Sequence, residues 1–160
     1  MTSAPTYGTT TNLTFASAGE YAVTINAKSS KTNYLKSNTV DKTNRIIILK
    51  LNVPEDLTHE IQADGTTNNS IFKLNKVANA NGYYVVLEKV NGSTSVEICN
   101  SNSFEIQGDS IIFNLGNLTS LFDAAGQYVY KVYATSSEAN VLNSEIASYT
   151  INKLCAPENI

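Results

Sequence analysis

The side chains of this 160-residue chain with the widest chemical range are its one histidine, His59, and its two cysteines, Cys99 and Cys155. A histidine metal site or a Ser-His-Asp arrangement would need every partner gathered around that single imidazole, in a stretch, THEIQAD, that reads as exposed. Cys99 and Cys155 fall in different copies of an internal repeat, so they read as separate thiols and not as a disulfide. Tyr83, Tyr84, Tyr128, Tyr130 and Tyr133 could offer an aromatic platform to a sugar, but alternation along the chain puts most of them in or beside a core. Glu55-Asp56 and Glu158-Asn159 are pairs of adjacent oxygen donors, too few for calcium. No carboxylate pair has a spacing suited to glycoside hydrolysis. Sequons begin at Asn12, Asn68, Asn91 and Asn117, about the number chance alone gives at this composition. The residues therefore assign no catalytic, cofactor-binding or metal-ligating position, and a non-enzymatic protein without cofactors is expected.

Composition narrows the class. Hydrophobic residues make up 42% and charged residues 16%, with a net charge of -3, which leaves no basic patch for nucleic acid. The longest apolar runs, Ile46 to Leu49 and Tyr83 to Leu87, fall far short of the roughly 20 residues of a membrane helix. The opening MTSAPTYG carries neither the basic segment nor the apolar stretch of a signal peptide.

Positioning falls to strands. Twenty asparagines, seventeen threonines and sixteen serines favour turns and solvated strand faces over helices. No segment sustains a 3.6-residue period, whereas Tyr128, Tyr130, Val132 and Ala134 alternate with Val129, Lys131 and Tyr133. Strands are expected near 52–58, 70–77, 83–90, 94–99, 104–106, 110–115, 126–135 and 142–152, and earlier near 10–15, 20–28 and 35–50. Turn signals separate them at Ala63-Asp-Gly-Thr-Thr-Asn-Asn, Asn79-Ala-Asn-Gly, Asn91-Gly, Gln107-Gly-Asp and Gly116-Asn. The expected core is Leu74, Val77, Tyr83, Val85, Leu87, Phe113, Leu115, Tyr128, Val132 and Leu142.

The chain also repeats itself. AGEYAVTINAKSSKTNYLKSN, from Ala18, returns 107 positions later as AGQYVYKVYATSSEANVLNSE, from Ala125. KLNVPEDL (Lys50 to Leu57) returns 103 positions later as KLCAPENI (Lys153 to Ile160). A period near one hundred residues is one small domain. Residues 1–49 then read as the C-terminal half of one unit, 50–153 as a complete unit, and 154–160 as the first strand of another. The half unit is expected to pack against polypeptide outside these 160 residues, from a preceding segment or another subunit.

LNKVANANGYYV (Leu74 to Val85) resembles the second and third strands of a bacterial fibronectin type III domain. AAGQYVYKVYA (Ala124 to Ala134) resembles that family's sixth strand, and KLNVPEDL its proline-bearing start. Leu74 departs from the pattern, standing where the family carries a core tryptophan. The resemblance implies an all-β, immunoglobulin-like sandwich in tandem, with Tyr21 and Tyr128 as tyrosine corners. Neither cysteine matches the immunoglobulin disulfide positions. The function implied is a structural or adhesive spacer module of a long extracellular or surface protein. Its partners would be neighbouring repeats or subunits, with a carbohydrate as the alternative ligand. Two alternatives stand beside it: a phage virion or filament subunit completed by strand addition, and an accessory module of a secreted polysaccharide-degrading enzyme.

Overall fold

The computed structural model describes residues 13–28, 30, 32–38, 40–41, 45–63, 68–92, 95–101, 103–117, 122 and 124–154. Every regular element among them is a β-strand. The chain divides into two compact units, Met1–Ile48 and Leu49–Ile160.

In the first unit β1 (Gly19–Tyr21) pairs antiparallel with Ile46, Ile47 and Ile48 at the start of β4 (Ile46–Lys50), and β2 (Thr24–Ile25) pairs antiparallel with β3 (Val40–Asp41). The strand expected near 10–15 lies partly outside the described residues, and Leu13 to Phe15 are not a strand. Regular pairing is also sparser than the spans 20–28 and 35–50 suggested. Of the apolar positions along these spans, Phe15, Tyr21 and Val23 are half-buried, while Ile25 is 55% and Ile47 58% exposed.

The second unit holds two four-stranded antiparallel sheets. One has the order β5 (Thr58–Ala63), β6 (Asn68–Asn75), β10 (Ser110–Asn117), β9 (Glu105–Gln107). The other runs β13 (Ala147–Lys153), β11 (Gly126–Thr135), β7 (Gly82–Lys89), β8 (Ser95–Ser101). Their facing sides share one core. Phe72 of β6 stacks on Tyr130 of β11, with ring centroids 4.4 Å apart, and Tyr83 of β7 meets Phe113 of β10 edge-on at 6.2 Å. Aromatic pairs in such geometries add about 0.5–1.5 kcal/mol beyond area burial. The alternation in β11 is carried through: Tyr128, Tyr130, Val132 and Ala134 are buried while the residues between them are half-buried. Leu74, Val77, Tyr83, Val85, Leu87 and Phe113 are buried as expected, and Leu115 is partly buried against them.

Three expectations need correction. Residues 51–57 form no strand, because Pro54 lacks a backbone donor and Asp56 adopts a left-handed φ of 54° that breaks an extended run. That segment still anchors the core through Leu51 and Leu57. Gly116 does not stop its strand: β10 runs on to Asn117 through a bulge, where Gly116 has φ 62° and its N–H donates to Asn114 Oδ1 at 3.1 Å. The strand expected over 142–152 is split into β12 (Val141–Leu142) and β13, and Leu142 is only half-buried.

Candidate functional site

His59 does not lie on an exposed stretch. It sits half-buried on β5, where Nε2 hydrogen-bonds Ser70 Oγ, and its ring lies 5.6 Å from that of Tyr130 and 6.0 Å from that of Phe122. Burial lowers the imidazole's pKa, which favours the neutral form. Ser70 is fully buried, and the hydroxyl of Tyr130 beside it has no hydrogen-bond partner among the described residues. Burial raises the Tyr130 pKa, opposed by Ser70. Ser70 Oγ is bonded to the His59 imidazole, but among the described residues no carboxylate is bonded to that ring to orient it.

The remaining chemical candidates disperse. Cys99 is a buried free thiol that donates to the Tyr83 carbonyl at 3.3 Å, and burial pushes its pKa up, so the reactive thiolate is disfavoured. Cys155, Glu158 and Asn159 lie outside the described residues. Asp56 accepts a hydrogen bond from the Asn75 side-chain amide, and Glu55 is exposed beside it. Among the described residues no three of His, Cys, Asp and Glu come together as a metal site. The five tyrosines split: Tyr83, Tyr128 and Tyr130 are core residues, while Tyr84 and Tyr133 stack at 5.1 Å on the outer face of their sheet. Tyr84 hydrogen-bonds Glu97, which raises the phenol's pKa.

The geometry that recurs is structural. Tyr128 donates to the carbonyl of Ala124 at 2.8 Å, and Tyr21 donates to the carbonyl of Ser17 at 2.7 Å. Ser144 Oγ accepts from Ala134 N–H at 2.8 Å and donates to the Glu145 carbonyl, while its own N–H reaches the Ala134 carbonyl at 3.0 Å. Ser37 makes the same three bonds, with Ala27 and with the Asn38 carbonyl. The repeat aligns Ser37 with Ser144, and each serine pins two backbone segments.

Just beyond this serine clasp in the second unit, Val141 and Leu142 of β12 pair in parallel with Leu49 and Lys50. Leu49 N–H donates to the Asn140 carbonyl at 2.8 Å, and Leu51 N–H to the Leu142 carbonyl at 3.1 Å. Lys50 also binds Glu145, whose pKa is lowered by that bond. The pairing brings Leu51, 5% exposed, into the core beside Val141. Tyr34 and Leu35, the counterparts of Val141 and Leu142 in the first unit, belong to no strand, and Leu35 is 97% exposed.

No family model and no curated protein matches this chain.

Proposed function

We propose that the chain is a non-catalytic structural module, built from tandem immunoglobulin-like sandwiches of the fibronectin type III kind. It acts as a spacer or interaction domain of a long extracellular or surface protein. The observation that carries this reading is the double occurrence of one bonding scheme, the tyrosine corner and serine clasp at Tyr21 and Ser37 and again at Tyr128 and Ser144. The order of the two four-stranded sheets supports it as well, because each hairpin partner and crossover suits that architecture.

A spacer must resist extension as a unit. Pulling the 160-residue chain by its ends should give one cooperative rupture of the second unit, releasing about 35 nm of chain. Gradual lengthening without a rupture would contradict the reading. A glycan array probes the accessory-module alternative, since a saccharide bound in a Tyr84- and Tyr133-dependent manner would move the assignment there.

The filament or virion reading is favoured by one specific observation, the exposed Leu35 at a position whose counterpart, Leu142, holds a strand.

A further inference from the structure

Four strands stand at the edges of the second unit's two sheets: β5, β9, β13 and β8. An edge presents a row of N–H and C=O groups to solvent, and proteins discourage such rows from joining by placing charged side chains on them. β5 carries Glu60, β8 carries Glu97 and β9 carries Glu105. β13 carries no charge before its last residue, Lys153. Hydrogen-bond direction shows which of its groups turn outward. Val90 N–H donates to the Gln127 carbonyl at 2.9 Å, whereas the Ala134 carbonyl accepts from Ser144 N–H at 3.0 Å. Odd-numbered residues of β11 therefore bond towards β7 and even-numbered ones towards β13. The register sets Tyr128 opposite Ile151, Tyr130 opposite Tyr149 and Val132 opposite Ala147. Ala147, Tyr149 and Ile151 thus bond β11, and the N–H and C=O groups of Ser148, Thr150 and Asn152 point away from it. Among the described residues β11 is the only strand paired with β13. In step with these outward residues, Ile146 and Leu154 flank the strand, 59% and 83% exposed.

We infer that β13 pairs antiparallel with β13 of a second copy of this chain, about a two-fold axis through Thr150, joining two four-stranded sheets into one. The strand is complementary to itself in that register. Thr150 meets Thr150 of the second copy, Ser148 meets Asn152, and Ile146 meets Leu154, so the exposed aliphatic side chains of each copy are covered by those of the other. Hydroxyl pairs are favourable cross-strand neighbours, and Lys153 falls opposite Ala147, so no like charges face each other. No other position of the axis sets Ile146 against Leu154. The same patch serves both copies, which makes the contact isologous and the closed dimer its end product.

Variants on the axis test this, because a side chain there meets its own copy. Thr150 is exposed, so Thr150→Lys and Thr150→Glu leave the core intact, and an unchanged thermal melt verifies that. Sedimentation of the wild-type chain from about 1 μM to about 1 mM should show a monomer passing into a dimer and growing no further. Each variant alone should dimerise roughly 3- to 10-fold more weakly, through like charges set opposite each other, and the equal mixture of the two should pair at least as tightly as wild type. Amide exchange reads the register. With rising concentration the N–H groups of Ser148, Thr150 and Asn152 should slow, while those of Tyr149 and Ile151, already bonded to β11, should not change. A wild-type chain that stays monomeric throughout overturns the inference, as does growth past the dimer or single variants that dimerise like wild type. A mixture that pairs no better than either variant overturns the two-fold at Thr150. Slow exchange at Thr150 in the dilute monomer would place another part of the same chain on this edge, which also overturns it.

Discussion

Burial decides what each residue is worth here. Val132 is fully enclosed between the two sheets, so Val132→Ala should cost about 1–3 kcal/mol in urea unfolding through lost transfer energy and the cavity left behind. Tyr128→Phe keeps the ring against Phe122 and removes a hydroxyl that donates to the Ala124 carbonyl and accepts from the Ala124 N–H, a loss of about 1 kcal/mol. His59 gives a pH signature. Its folded pKa lies below its unfolded value near 6.5, so the unfolded chain takes up the proton more readily. The stability it contributes is complete above pH 6.5 and is lost as pH falls through the folded pKa. Denaturation at pH 7.5 and 5.5 should show that decline, and His59→Gln should flatten it; equal pH slopes in both proteins would refute the assignment. Little of this cluster was legible in the sequence. The pairing of His59 with Ser70 depends on the register of β5 on β6, and THEIQAD alone gives no sign of it.

Among the elements, one hydrogen-bond scheme appears in two environments, which separates geometry from energy. Ser144 is buried and its loss leaves the enclosed Ala134 N–H without a partner, so Ser144→Ala should cost about 1–3 kcal/mol. Ser37 makes the same bond in an exposed setting where water can replace it, and Ser37→Ala should leave the main melting transition unmoved. Equal effects would show that exposure does not govern the clasp. The β10 bulge sets a second test: a Cβ at Gly116 meets no neighbour, so Gly116→Ala should cost about 1 kcal/mol from its left-handed backbone alone, with Gly116→Asn costing less. Strand existence was readable from the continuous apolar run of β7 and the alternation of β11. It failed at 51–57, where leucine, valine and proline mimic a strand while Asp56 turns the chain. It failed again at Gly116, where a turn-forming residue serves a bulge inside a strand. Phe72 and Ile111 also escaped the expected core, because each is buried by strands distant in sequence.

At the scale of the molecule the two units differ in enclosure. In the second, apolar residues of two sheets close on each other; in the first, Ile25 and Leu35 face solvent although their sequence counterparts, Val132 and Leu142, are buried or half-buried. The repeat that made this visible was legible as residues. Its consequence was not, because exposure is a property of what lies opposite a strand and not of the strand itself. Three or four short strands bury too little apolar area to hold a fixed structure unaided. The most direct measurement is residue-resolved amide exchange of the chain in dilute solution. We expect β6, β7, β10 and β11 to exchange only through global unfolding, while β1, β2 and β3 exchange orders of magnitude faster. Equal protection across both units in a monomer would contradict the account, because the first unit would then be a complete fold in its own right.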